Sequence, residues 1–211
     1  MGVTMSGNRV HTLPSGEPRP RYDIEKLLSV AVEVFSERGY DGTSVENLSR
    51  ASGLSKSSIY HHIDSKEHLL RLALERALDP LLALTREPEA VTGRAIDRLQ
   101  FVVRGVVQLL SDHLPYVTLL LRLHGNTQTE IWALRERRAF DAFASDLVKQ
   151  AIDDGDLRSD LDSLVTARLM FGMINSLIEW HNPTREPNAQ ALASRLIELV
   201  FDGVRIPNAY A

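Results

Sequence analysis

Between Gly53 and Leu70 the chain reads GLSKSSIYHHIDSKEHLL. Its first half is crowded with hydrogen-bond donors: the Lys56 ammonium, the Ser57 and Ser58 hydroxyls, the Tyr60 phenol and the imidazoles of His61 and His62. Three kinds of chemistry could use such a cluster: metal ligation, catalysis, or contact with a charged surface. The spacing bears on the choice. Lys56 and Tyr60 are four residues apart, as are Ser57 and His61, and Ser58 and His62, so on a helix each pair shares a stripe. His61 and His62 are adjacent, which turns them about 100° apart on a helix, so one ion cannot easily take both. Nor does a carboxylate stand four residues from either. No metal set is expected. Catalysis fares no better, because the chain has no Gly-x-Ser-x-Gly elbow, no phosphate loop and no His-Glu-x-x-His. His113, His124 and His181 are scattered and read as helix-end or core residues, so no catalytic residue and no enzyme are expected. A surface of donors suits phosphate oxygens and base edges in a major groove.

Such a surface needs a frame. Ile24, Leu27, Leu28, Ala31, Val34 and Phe35 recur at helical spacing, and Gly39 ends that helix. Thr43 or Ser44 caps a second helix over 45–52, and Gly53 breaks it. Ser55 caps a third over 56–62, and Ser65 caps a fourth that runs to about Leu84. Two short helices joined by about three residues that include a glycine form a helix-turn-helix. Leu48, Ala51, Leu54, Ile59 and Ile63 supply the contacts that lock it. Further helices are predicted over 94–112, 115–123, 128–153, 163–181 and 188–203, with no strand-like alternation. The expectation is an all-α chain of about nine helices: an arm over 1–20 holding three prolines and three glycines, a DNA-binding unit over 21–68, and a larger helical unit over 69–211.

Bulk composition agrees. The 211 residues are 44% hydrophobic and 25% charged, enough for a real core. A formal net charge of −4 argues against coating nucleic acid by bulk charge and leaves room for a local patch. Cysteine is absent, which removes disulfides and thiolate chemistry. The first 20 residues hold no apolar signal core, and no apolar run approaches the ~20 residues of a membrane span. A cytoplasmic protein without a membrane partner is expected.

The stretch TSVENLSRASGLSKSSIYHHIDSKEHLL, preceded by AVEVFSERGYDGTSV, resembles the DNA-binding domain of TetR-type transcriptional regulators. The resemblance covers about residues 22–70. It implies that Lys56 and Ser57 face bases, that Tyr60 straddles base and phosphate, and that Ser58, His61, His62 and Lys66 grip phosphates. Ser44 would reach the backbone of the flanking strand. One departure stands out: many relatives carry Arg after the TSV triplet, and this chain has Glu46. That carboxylate either turns away from DNA or helps to read a cytosine amine. Residues 1–70 hold nine acids against eight Lys and Arg, so affinity must come from placement.

The family also implies a C-terminal domain that dimerises and holds an inducer. Dimerisation has its own argument in LVTARLMFGMINSLIEW at 164–180, which is apolar nearly all round and must be covered on more than one side. Leu169, Met173, Leu177, Leu196 and Val200 are the expected interface with a second copy. Helices 94–112, 115–123 and 128–153 would enclose the ligand. Arg104, Arg122, His124, Trp132 and Asn175 are the residues expected to orient it. The stretch GDLRSDLD…LMFGMINSLIEWHNP is similar to the C-terminal domains of relatives that respond to fatty-acyl or steroid-derived CoA thioesters. The expected function is therefore a dimeric repressor of double-stranded DNA, released by a small apolar effector of which an acyl-CoA is one candidate, with no resident cofactor. The alternatives are an activator or a ligand-independent DNA-binding protein.

Overall fold

Short capping motifs punctuate the chain, and its regular elements are helices throughout the described length. The computed structural model describes residues 24–182, 184, 185 and 188–204; the expected arm over 1–20 lies outside them. Eleven helices follow in order. The first four are α1 (Ile24–Arg38), α2 (Val45–Ser52), α3 (Lys56–His62) and α4 (Lys66–Leu84). Then come α5 (Pro88–Val91), α6 (Ala95–Asp112), α7 (Leu114–Leu121) and α8 (Gln128–Asp153). The chain closes with α9 (Ser163–Asn175), α10 (Leu177–Trp180) and α11 (Ala189–Val204).

The first four helices start and stop where side chains satisfy their ends. The Ser44 hydroxyl accepts from the Asn47 N–H at 3.2 Å, and Asn47 Oδ1 accepts from the Ser44 N–H at 2.8 Å, a reciprocal cap on α2. Gly53 at φ +73° takes the left-handed turn and donates to the Ser49 carbonyl. Ser55 and Ser65 accept from the N–H groups of Ser58 and His68 at 3.1 and 3.0 Å. Leu48 and Ile59 pin α2 and α3 to α1, and both are fully buried with Leu27, Leu28 and Ile63.

Two elements depart from the nine-helix expectation. The helix α5 is one turn with Pro88 at its start, closed by the Thr92 N–H on the Pro88 carbonyl. Four residues are too few to show a period. The predicted helix over 163–181 divides at Ser176, whose N–H donates to the Gly172 and Ile174 carbonyls and whose hydroxyl donates to the Met173 carbonyl at 2.7 Å. That local hydrogen bonding competes with helix continuation.

Two helices organise the rest. α4 begins beside the helix-turn-helix and continues past it, packing on α1, α6, α7 and α8. α8 has 26 residues, so it is roughly 39 Å long at 1.5 Å per residue. It lies against α4, α6 and α9, and α11 lies along α6. Leu69, Leu74, Leu99, Val103 and Leu147 carry one core through both halves.

Because Ile59 has no exposed surface, replacing it with Ala should cost about 2–5 kcal/mol. Urea unfolding of the full chain should show a lowered midpoint with an unchanged slope.

Candidate nucleic-acid interface and ligand cavity

On α3 only Ile59 is buried, and the remaining side chains face outward or lie at the edge. Tyr60 is 53% exposed. Lys56, Ser57 and His61 are exposed, and Ser58 and His62 are half-buried. The Ser55 hydroxyl lies 3.0 Å from that of Ser57 and 2.9 Å from that of Ser58, which gathers three hydroxyls at one end of the helix. The His61 and His62 rings sit edge to face with centroids 5.7 Å apart. Lys56 Nζ lies 3.3 Å from Glu46 Oε2, so the unexpected carboxylate reaches across from α2 to the recognition surface. Ser44 is exposed at the start of α2.

Lys66 is placed differently from the phosphate-gripping expectation. Its ammonium donates to the Tyr40 and Thr43 carbonyls, each at 2.8 Å, and sits 3.9 Å from the Tyr40 ring centroid. Two of its three donors are therefore directed inward. They tie α4 to the loop that delivers α2. The sequence pattern could not distinguish this from an outward cation, because both sit at a helix start.

A polar junction connects this loop to α8. Asn126 donates to Asp41 Oδ2 at 2.8 Å, and the Thr129 N–H donates to Glu67 Oε1 at 3.2 Å. Arg71 lies over the Trp132 ring at 3.3 Å from its centroid. Burial raises the Tyr40 phenol above its ordinary pKa, and the carboxylates of Glu67, Asp41 and Glu130 add to the effect. Trp132 thus serves the junction between the two halves rather than the ligand wall where it was expected.

Farther along α8 lies an apolar chamber of about 50 Å³. Leu81, Val106, Leu110, Leu120, Phe140 and Phe171 are among its walls, and Arg137, Asp141 and Asn175 form a polar edge. The Phe140 and Phe171 rings meet edge to face, with centroids 5.2 Å apart. The same polar edge lines an outer cleft of about 270 Å³ between α8 and α9, where Arg168 joins it. Asn175, one of the residues expected to orient a ligand, lines both spaces. Arg104 and His124 are exposed and line neither space. Arg122 also points away, pairing with Glu179 at 3.5 Å. Arg137, Asp141 and Arg168 were missed, because on an amphipathic helix they read as ordinary solvent-facing charges.

The α9 surface is apolar and open. Leu169 is 67% exposed, with Val165 and Met173 exposed at four-residue spacing on either side of it. Leu199 on α11 is exposed too. Leu177, Leu196 and Val200, expected at a subunit interface, are instead buried within the chain's own core. The reason is that α11 turns that face toward α6 and α10 packs on α7. Sequence alone marks such residues as needing cover and cannot say which neighbour supplies it.

A donor-rich recognition helix held by a capped helix-turn-helix, with a separate cavity in the helical remainder, defines the class: a helix-turn-helix DNA-binding regulator with a larger C-terminal domain. Residues 27–73 match the family model described as "Bacterial regulatory proteins, tetR family", and residues 92–204 match "Tetracyclin repressor-like, C-terminal domain". The chain belongs to the TetR family of transcriptional regulators. It is therefore a regulator and not an enzyme. The HTH-type transcriptional repressor KstR2 of Mycobacterium tuberculosis is 26% identical over 183 residues, spanning 85% of this chain and 91% of that protein. The crystal structure of SCO3833, a TetR-family member from Streptomyces coelicolor, is 48% identical with a TM-score of 0.81, covering 93% of this chain and 98% of that one. The fold is also that of AibR in complex with isovaleryl coenzyme A and operator DNA. That structure has 22% identity and a TM-score of 0.68, and covers 84% of this chain and 97% of that one. No described helix is long and apolar enough to cross a membrane.

Asp141 yields a stability prediction. Burial raises its carboxyl pKa, and the Arg137 and Arg168 guanidiniums offset this only in part. The folded chain therefore holds that proton more tightly than the unfolded one. The resulting stability is present below the ordinary carboxylate range and is lost as pH rises through the folded-state pKa. Asp141→Asn should melt above wild type at neutral pH, and the gap should close in acid, as read by thermal melts across that span.

Proposed function

We propose that the protein is a dimeric repressor that holds a near-palindromic operator and is released by an acyl-CoA thioester. The observation that carries the reading is the apolar chamber opening onto a cationic cleft, both built on the helix whose start is bonded to the DNA-binding half. At roughly 30 Å³ per water-sized occupant, a chamber of about 50 Å³ takes only the first one or two carbon groups of an acyl chain, so an isovaleryl group would have to widen it or extend into the outer cleft. Arg137 and Arg168 in the outer cleft suit the thioester carbonyl or the anionic remainder of the molecule. AibR itself is bound to isovaleryl coenzyme A in its complex. A larger cleft beside α1 and α4 is rimmed by Glu75, Arg76 and Asp79, which suits an acyl group poorly.

The operator contacts are assigned to Lys56, Ser57, Ser58, Tyr60, His61 and His62, with Ser44 on the flanking backbone. The free third donor of Lys66 is compatible with a phosphate contact. A second copy is assigned to the Val165–Leu169–Met173 stripe, because two-fold pairing covers an apolar face with itself. Two such subunits would set their α3 helices about one turn of duplex, or a multiple, apart.

Anisotropy against duplexes tiled upstream of the protein's own gene tests the reading. One near-palindromic tile should bind tightly and weaken with salt. Lys56→Ala and Tyr60→Phe should each weaken it, the first by roughly ten-fold, with helicity and mass unchanged. Isovaleryl-CoA should release the tile where free CoA does not. Leu169→Arg should halve the mass seen by light scattering; an unchanged mass would reject that interface.

A further inference from the structure

Glu46 is the single carboxylate between Thr43 and Ile63, a stretch otherwise made of donors and apolar contacts. It is also firmly placed. The Ser44–Asn47 reciprocal cap holds the start of α2, so Glu46, in its first turn, is directed outward at 63% side-chain exposure. The Ser49 hydroxyl donates to the Leu54 carbonyl at 2.5 Å, and buried Leu48 and Ile59 lock α2 to α3. The backbone positions of Glu46 and Lys56 are therefore set by the frame, which leaves their charged ends within reach of each other. Their charged ends meet at 3.3 Å.

An exposed ion pair of this kind contributes little to stability and exchanges readily. Its chemistry at a duplex is more specific. Against phosphate a carboxylate is only repelled, and in the major groove its partners are the exocyclic amines of cytosine and adenine. Lysine seeks the O6 and N7 acceptors of guanine. Cytosine N4 and guanine O6 are themselves joined across one base pair at about 2.9 Å. An acceptor and a donor 3.3 Å apart on the protein thus face a donor and an acceptor at nearly the same separation on a G·C pair.

We propose that Glu46 and Lys56 act together as a G·C reader in each half-site, with Glu46 accepting from cytosine N4 while Lys56 donates to guanine. The inference rests on the DNA-binding reading above and adds a specificity residue to it. Glu46 then costs affinity on every other sequence, because a carboxylate facing an acceptor or a phosphate is repelled. Discrimination comes from that cost as much as from the contact.

The test is selection of bound duplexes from a randomised library by the full-length wild type and by Glu46→Gln, followed by titration of the enriched sequences. The wild type should enrich one fixed G·C pair in each half-site. Glutamine prefers adenine, through its N6 and N7. The variant should therefore shift that one position toward A·T and lose roughly ten-fold on the wild-type operator. An identical motif for both proteins would overturn the inference. So would a uniform gain in affinity on all duplexes, which would make Glu46 a simple brake on Lys56. Wild-type protein that enriches no motif would remove the DNA-binding reading and this inference with it.

Discussion

The Lys66 ammonium fixes the attitude of the recognition surface. It donates to two consecutive-loop carbonyls, those of Tyr40 and Thr43, and rests on the Tyr40 ring. Those carbonyls belong to the connection between α1 and α2, immediately before the Ser44 cap. A cation held by two hydrogen bonds and an aromatic face resists displacement more than an exposed one. α2 therefore starts from a point anchored to the first turn of α4. Because α2 and α3 are locked by Leu48 and Ile59, anchoring α2 also aims α3.

From that anchor the constraint passes to the ligand half. Glu67, beside Lys66, accepts from the Thr129 N–H, and Asp41, beside Tyr40, accepts from Asn126. Both bonds end at the start of α8. The same helix carries Phe140 and Asp141 about three to four turns later, at the chamber. α4 supplies a second route, since it runs from Lys66 to Leu81 on the chamber wall. Any expansion of the chamber that moves α8 relative to α4 must strain or shift the Asp41–Asn126 and Glu67–Thr129 bonds. On the proposed reading, coupling between a ligand in the chamber and α3 would have two rigid arms and one small polar junction to work through.

The DNA-binding half was legible because its signals are local. Ser44, Gly53, Ser55 and Ser65 mark helix ends within three residues of themselves, and each takes the role its type favours. The ligand half was legible in its helices but less so in its surfaces. Leu169 and Leu177 look alike in sequence, yet one is 67% exposed and the other buried. The difference arises from the break at Ser176 and from what α7 and α9 present to each side, which no local pattern encodes. Arg104 and Arg137 are likewise both arginines on amphipathic helices. Only the packing of α8 against α9 turns one toward the cavity and leaves the other in solvent.

Charge explains why the frame matters so much here. Between Thr43 and Ile63 the chain has two formal cations, Arg50 and Lys56, and one anion, Glu46. Lys66, the next cation along, is turned inward. Each phosphate neutralised contributes a slope of about −0.9 to the salt dependence of binding, so a surface this sparsely charged gathers little affinity from counterion release. Hydrogen-bond donors must supply the rest: three serine hydroxyls, a phenol and two imidazoles. Neutral hydrogen bonds reward fit within a few tenths of an ångström and give nothing at a distance. On the proposed dimeric reading, such a surface would bind weakly to arbitrary DNA and would depend on holding α3 at one angle and its symmetry mate at one spacing. The same economy would make it sensitive to release, since a small change in that angle removes contacts that no long-range field replaces.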